Sequence, residues 1–453
     1  MEREKLGSRL GFILLSAGCA IGCGNVWKFP TMTGANGGGA FVLIYLVFLV
    51  ILGLPVMTME FSVGRASQKS IVRMYHALTP EKKVWRTHGY ASLVGNILLM
   101  MFYVVVSGWM LYYFISTGLG KYETVQTIVD SKNAFADMTG NPLTLICSTF
   151  AIIIIGFFVC SFKLDKGLES VTKYMMTALL IIMIALAIYG FTLSGAKEGL
   201  QFYLVPDFTK ITFEVVVAAM NQAFFTLSLG IGSMAIFGSY LNKSHSLTGE
   251  SINIIILDTF VAITAGLIIF PACASYGVDV GGGPALIFET LPLVFAHLPL
   301  GRLWGTLFFL FMTFAAFSTV LAVFENIIAC FRDMFNWTRV KACIICCVAM
   351  LILSLPCILS FCSLDGQGKV LNLEDFLVSN ICLPLGSLAL VIYCTQKFGW
   401  GWNNYLLEAN SGKGVKIKNG LRIYCAYILP VIILALFIIG LITFDYSSIN
   451  FFA

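Results

Sequence analysis

The sequence predicts an all-α integral membrane fold: eleven transmembrane helices in a 5+5 inverted repeat, with helices 1 and 6 broken. Three observations carry that prediction. Hydrophobic residues make up 58% of the 453 positions and charged residues 11%, with mean hydropathy +0.90; soluble domains are about 25% charged. Eleven apolar stretches each approach or exceed the roughly 20 residues that a helix needs to cross a bilayer core. Two of them, the first and the sixth, are interrupted by glycine clusters. Little of the chain lies outside the stretches, so a single transmembrane domain over 1–449 is expected, with no soluble domain.

In chain order the stretches are 10–36, 39–64, 88–118, 142–160, 168–191, 212–239, 251–276, 303–331, 342–361, 373–395 and 421–444. The first has no small-residue cleavage site before a hydrophilic mature chain, so it reads as a span and not a removable leader. The net charge of +5 is unevenly placed. With the N-terminus in the cytoplasm, the inner loops hold most of the basic residues, among them Arg3, Arg65, Lys82, Lys83, Arg332, Arg339 and Lys416. The outer loops hold only Lys121, Lys132, Lys197, Lys210, Arg302 and Lys369. This asymmetry is an orientation signal for a multi-pass protein of the plasma membrane, and argues against a nucleic-acid patch. The fourteen cysteines lie mostly within apolar stretches and lack metal-ligand spacing, which suits small buried hydrophobes.

Span 1 reads Ala17-Gly18-Cys19-Ala20-Ile21-Gly22-Cys23-Gly24-Asn25, and span 6 reads Phe225-Thr226-Leu227-Ser228-Leu229-Gly230-Ile231-Gly232. An unsatisfied backbone group in hydrocarbon costs several kcal/mol, so a mid-span break must face protein, ions or water. Paired breaks in corresponding spans mark the midplane site of a carrier. Spans 1 and 6 each begin a five-helix block (about 8–191 and 212–396), and an odd number of helices per block inverts the second. Span 11, 421–444, is appended. The loop 277–300, with Gly281-Gly282-Gly283-Pro284, is expected to fold as an outer cap, and the loop 397–420 to be an inner connector.

Oxygen-bearing side chains near the breaks are the candidates for a hard cation such as sodium: Asn25, Thr226, Ser318 and Thr319, with Asp258 in span 7. An intramembrane carboxylate needs a cation, a proton or hydrogen-bond donors. Half-helix N-termini attract anions, so the Cys23 and Gly24 amides could hold a carboxylate, with the Tyr103 hydroxyl donating to the same group. Two charge pairs, Lys28 with Asp375 and Arg3 with Asp333, would gate the site from either side. The histidines do not cluster near the breaks, so no enzyme is expected.

These residues resemble the neurotransmitter:sodium symporter family, above all its bacterial eleven-helix amino-acid transporters with the LeuT-like fold. The resemblance covers nearly the whole chain and rests on Arg9–Gly39 with GNVWKFP, QAFFTLSLGIG at 222–232 and AAFST at 315–319. It implies two Na+ sites and no organic cofactor. One would use the Ala20 and Thr226 carbonyls with the side chains of Asn25, Thr226 and Asp258. The other would use the Gly18, Ile21 and Ala315 carbonyls with Ser318 and Thr319. The substrate would lie among Cys19, Gly22, Leu99, Tyr103, Phe225, Ser228, Ile231, Thr319 and Val323, with Tyr240 joining the inner gate.

Where monoamine carriers of the family place an aspartate, this chain has Gly22, which leaves room for a substrate that brings its own carboxylate. The expectation is a sodium-coupled amino-acid symporter for an apolar or aromatic side chain. A proton-coupled carrier, a uniporter and a non-transporting sensor are the alternatives. Tyr45, Gln222 and Thr226 occupy chloride-site positions, but Asp258 can supply the negative charge, so chloride independence is expected. The partners implied are the amino acid and the bilayer, with no obligate protein partner. The chain departs from the family at Lys28 (usually arginine), Leu6 (usually tryptophan) and Thr177 (usually proline, ten residues after Gly167).

Overall fold

The structure is a computed structural model that describes residues 4–277, 286–364, 368–444 and 446–450. Among these residues every regular element is helical, and the only strand-like pairing is two isolated bridges, Gly38 with Pro206 and His245 with Lys413. Among the described residues, nine helices are long and apolar enough to span a bilayer. A tenth span is bent: α1 (Arg9–Ala20) and α2 (Gly24–Ala35) meet at 53°. The predicted sixth span is divided further, into α7 (Phe213–Thr226) and the six-residue α8 (Ser233–Gly238). Neither piece crosses alone, so length and composition count ten spans here where the sequence predicts eleven.

The unbroken spans are α3 (Gly39–Ser67), α4 (Trp85–Gly118), α5 (Pro142–Ser161), α6 (Asp165–Gly190), α9 (Leu247–Ser275), α10 (Gly301–Phe335), α11 (Arg339–Cys362), α12 (Lys369–Thr395) and α13 (Asn419–Thr443). Sequence patterning decides which faces meet lipid. Exposed apolar rows recur at helical spacing: Ile181, Ile184 and Ile188 on α6, Ile344, Val348 and Ile352 on α11, Val431, Leu434 and Ile438 on α13. Water would not tolerate such rows, and a bilayer does. The long helices α4 and α10 pack side by side through the centre and carry Leu99, Tyr103, Ser318 and Thr319 on buried faces.

Close approach depends on small residues. A Cβ at Gly64 would lie 1.9 Å from the Ala235 carbonyl oxygen, and one at Gly238 would lie 2.5 Å from that of Phe61, so α3 and α8 meet backbone to backbone. On the N-terminal face, the connector 397–420 is pinned by the buried pair of Arg65 and Glu408 at 2.6 Å and by Lys413 against Ser244 and Ser246. On the opposite face the expected cap is described only from Leu286 onward; Gly281, Gly282, Gly283 and Pro284 lie outside the described residues. There Phe288 is fully buried against the rings of Trp27, Trp109, Tyr113 and Phe135.

Candidate functional site

The first break is short. Ile21 turns extended at ψ 92, and its amide bonds to Ala17; helical bonding resumes with the Asn25 amide on the Gly22 carbonyl at 3.1 Å. The second break is longer because its backbone enters the left-handed region at Ser228, Gly230 and Gly232, with φ 49, 94 and 79. Glycine tolerates this conformation at no steric cost. The freed amides of Gly230 and Met234 donate to the Glu60 carboxylate on α3, both at 3.1 Å. The Ile231 carbonyl accepts from the Asn96 amide on α4 at 2.6 Å, and Asn96 in turn accepts from Ser233 and Asn326. The break's backbone is thereby met by side chains of two other helices, with Asn326 of α10 holding Asn96 in place, as a low-dielectric interior demands.

Beside the breaks lie two groups of oxygens. In the first, the Asn25 amide donates to Asp258 Oδ1 at 2.8 Å, and the Thr226 hydroxyl lies 3.1 Å from Asn25 Oδ1 and 3.4 Å from Asp258 Oδ2. All three side chains are buried, and among the described residues no basic side chain pairs with Asp258. A buried carboxylate with neutral partners only is a place for a cation or a proton.

In the second group, Ser318 Oγ is within 3.3 Å of the Gly18, Ile21 and Ala315 carbonyls, and Thr319 Oγ1 within 3.5 Å of those of Gly18, Cys19 and Ile21. Each hydroxyl has one proton and cannot satisfy three acceptors. Such convergence of hard oxygens suits a small hard cation.

Gly22 sits between the two groups. A Cβ there would come within 2.3 Å of Tyr103 Oη and 2.4 Å of Thr319 Oγ1. The Cys23 amide donates to Tyr103 Oη at 2.9 Å, so these two groups, both expected on a carboxylate, here hold each other. A cavity of about 20 Å³ is lined by Cys19, Ala20, Gly22, Gly24, Leu99, Tyr103, Phe225, Ser228 and Thr319. Ile231 and Val323 are buried but do not line it; Val378 and Leu383 of α12 close that wall instead. Tyr103 and Phe225 separate it from a vestibule of about 260 Å³ that holds Lys28, Trp27 and Asp375.

A family model for the sodium:neurotransmitter symporter family matches residues 3–135 and 135–453. The chain belongs to that family. It is similar to an uncharacterized sodium-dependent transporter of Bacillus subtilis, at 34% identity over 86% of this chain and 87% of the relative. A Haemophilus influenzae sodium-dependent transporter is 31% identical over 97% and 98% of the two chains. The crystal structure of MhsT in complex with L-phenylalanine aligns with a TM-score of 0.87 and 35% identity, covering 97% of this chain and all of MhsT. The chain is thus a multi-pass, sodium-dependent membrane transporter, and its relatives are transporters, not enzymes.

The two charge pairs predicted as gates come out differently. Lys28 Nζ is 3.7 Å from Asp375 Oδ2 and 3.6 Å from the centre of the Phe225 ring, with both charged side chains about a third exposed. A pair this exposed contributes about 1 kcal/mol or less, and the ring about as much again, so it opens easily. At the N-terminal face Arg3 lies outside the described residues, and the Asp333 carboxylate accepts from the Ser70 amide at 2.7 Å.

Of the cluster found there, the sequence reading singled out Tyr240 for the inner gate but not Glu4, Glu325 or Glu169. Glu4 pairs with Arg332 at 2.7 Å and Arg339 at 3.2 Å; Arg339 also pairs with the fully buried Glu325, which accepts from the Tyr240 hydroxyl at 2.6 Å. Glu169 accepts from the Gly7 and Ser8 amides at 2.7 and 3.1 Å. The missed signal was simple: Glu60 and Glu325 are acids inside predicted spans, as Asp258 is.

Proposed function

We propose that this chain is a sodium-coupled symporter that imports an apolar or aromatic amino acid by alternating access. The observation that carries the reading is the position of Gly22, between two oxygen groups to each of which the first broken helix contributes. A ligand carboxylate placed there would neighbour the Cys23 and Gly24 amides and lie beside Asn25 and Thr226, so ion and substrate would share contacts. Shared contacts make each favour the other's binding, which is the coupling a gradient-driven carrier needs.

In this reading one Na+ takes the Asn25, Thr226 and Asp258 side chains with the Ala20 and Thr226 carbonyls. A second takes the Gly18, Ile21 and Ala315 carbonyls with Ser318 and Thr319. Leu99, Val378, Leu383 and Phe225 favour an apolar side chain, and L-phenylalanine in MhsT is consistent with that class. Asp258 replaces chloride as the negative charge beside the first sodium. The chain is a single domain of eleven spans in the plasma membrane, its N-terminus cytoplasmic, with spans 1 and 6 equivalent under an inverted repeat.

Purified protein in liposomes, offered labelled L-phenylalanine and a panel of amino acids, tests the reading. Accumulation is expected only under an inward sodium gradient and unchanged when gluconate replaces chloride. Accumulation indifferent to sodium would favour a proton-coupled carrier or uniporter, and binding without accumulation a sensor.

A further inference from the structure

We infer that Glu374, near the start of α12, binds a proton when the vestibule closes and releases it when the vestibule opens. The ligand of this further site is the proton itself, one for each closure. The inference goes beyond the symport reading and takes from it only the opening and closing of the vestibule.

The first observation is a carboxyl without a partner. Six other acids are buried among the described residues, and each is held. Glu60 and Glu169 accept from backbone amides, Asp258 from Asn25 and Thr226, while Glu250, Glu325 and Glu408 meet Arg9, Arg339 and Arg65. Glu374 is 4% exposed, its Oε2 is wholly buried, and among the described residues no hydrogen bond or ion pair reaches either oxygen. An ionised carboxylate is not sustained there, because neither water nor a counter-charge replaces its hydration, and the group neutralises instead. In this structure the Glu374 carboxyl therefore carries its proton.

The second observation is its place on the helix. The residues four and three before it and three after it are Val370, Leu371 and Leu377, so one acid stands in an apolar stripe. Leu371 and Asp375 line the vestibule, and Val378 lines the central cavity. At about 100° per residue, Glu374 falls about 40° from Val378 and about 60° from Leu371 around α12. It thus stands at the edge of the wall that runs from the vestibule to the cavity, and it lines neither space while Lys28 and Asp375 are paired. Opening parts that pair, one residue away, and joins the two spaces. Water then reaches the edge of the wall, and a hydrated carboxyl ionises.

The third observation is that its surroundings hold no counter-charge. The elements packed on this end of α12 are α4, the end of α11 and the turn Tyr446–Ile449. On α4, Tyr103 meets the Cys23 amide, Tyr112 accepts from Lys121 and Tyr113 donates to the Phe288 carbonyl. Cys362 of α11 donates to the Thr139 carbonyl and Tyr446 to that of Leu441; Cys357 is the other titratable side chain at that end of α11. On α12 itself Lys369 bonds to the Asn450 carbonyl, and Asp375 faces Lys28 and Ser379. Asp365 and Asp445 lie outside the described residues. A site filled only in the closed state shifts the balance towards closure as its ligand rises, so acid should favour closure by up to about tenfold per pH unit.

The test follows a pH-indicator dye in weakly buffered medium as L-phenylalanine is added to the purified full-length protein, already saturated with sodium. Uptake of about one proton per bound amino acid is expected near pH 7, and none in Glu374→Gln. Affinity for L-phenylalanine should rise about fivefold or more from pH 8 to pH 6 in the unmodified protein, stay flat in Glu374→Gln and regain its slope in Glu374→Asp. Should Glu374→Gln fail to fold, Glu374→Met, which suits an apolar stripe, takes its place. A further reading needs no amino acid. At pH 6, where the proton itself favours closure, the infrared difference between unmodified protein and variant should show the carbonyl stretch of a protonated carboxylic acid, shifted in deuterium oxide. The proposal is overturned by absence of that band, by proton uptake that survives in Glu374→Gln, or by amino-acid binding without proton uptake in the unmodified protein. Failure of the unmodified protein to bind any amino acid in sodium would count against the symport reading alone, and the infrared band would still decide the proton.

Discussion

Gly22, Asp258 and Lys28 each owe their importance to what stands next to them. The 2.3 Å between a Gly22 Cβ and the Tyr103 hydroxyl means that any side chain intrudes where a carboxylate is proposed to sit. Gly22→Val is expected to lower amino-acid affinity by about 100-fold or more, roughly 2.7 kcal/mol, read by equilibrium binding in sodium. Asp258→Asn keeps the shape and most hydrogen bonds but removes a buried carboxylate whose side-chain partners among the described residues are Asn25 and Thr226. Its expected effect is a rise of about tenfold or more in the sodium concentration needed for half-maximal uptake, with the order of preferred amino acids unchanged. A shift in that order with sodium affinity intact would remove Asp258 from the ion site. Lys28 reaches Asp375 and the Phe225 ring with a point charge, where an arginine would offer a two-pronged fork.

Element packing explains why the second break is stable at all. Six residues between α7 and α8 leave the helix, and the Glu60 carboxylate accepts two of their neighbouring amides. A hydrogen bond to a charged acceptor contributes more than one to a neutral acceptor, so Glu60→Gln should destabilise the protein by about 1–2 kcal/mol, seen as a lower thermal midpoint in detergent. Unaltered stability would mean that the break is held by packing alone. The glycine contacts between α3 and α8 are less forgiving. Gly64→Ala places a methyl 1.9 Å from a backbone oxygen, and the two helices must part. Loss of both stability and uptake is expected, whereas Gly420→Ala, which meets nothing within 4 Å, should change neither.

Across the whole molecule, the two faces are closed with unequal strength. The vestibule side carries the exposed Lys28–Asp375 pair; the N-terminal face carries the linked Glu4, Arg332, Arg339 and Glu325. Burial would raise the Glu4 carboxyl, but the guanidiniums of Arg339 and Arg332 outweigh it and hold the group below its ordinary 4.5. A lowered value means that Glu4 stabilises the closed face fully above 4.5, and that this contribution fades only as pH falls through the lowered value. Closure of this face, followed by hydrogen exchange of residues 5–12, should therefore be flat from pH 8 to about 5. Glu4→Gln should raise that exchange at neutral pH; if it does not, the latch rests on Glu325 and Glu169.

Most of the fold was legible in the chain itself. Apolar length and glycine clusters are local properties, so the spans and both breaks could be read residue by residue. Asn25, Thr226, Asp258, Ser318 and Thr319 stood out because oxygen is conspicuous in an apolar run, and the structure brings them together as two groups. The angle of the first break, the division of the sixth span into pieces of 14 and 6 residues and the choice of Val378 and Leu383 over Ile231 and Val323 for the cavity wall were not legible. They depend on which helices pack together. So does the N-terminal latch, where Glu4 meets Arg332 and Arg339 across more than 300 residues. Sequence alone determined what each segment must do with its backbone in lipid, because that penalty is paid locally. Only the tertiary structure decided which distant side chains satisfy each break, since a hydrogen bond depends on distance in space and not along the chain.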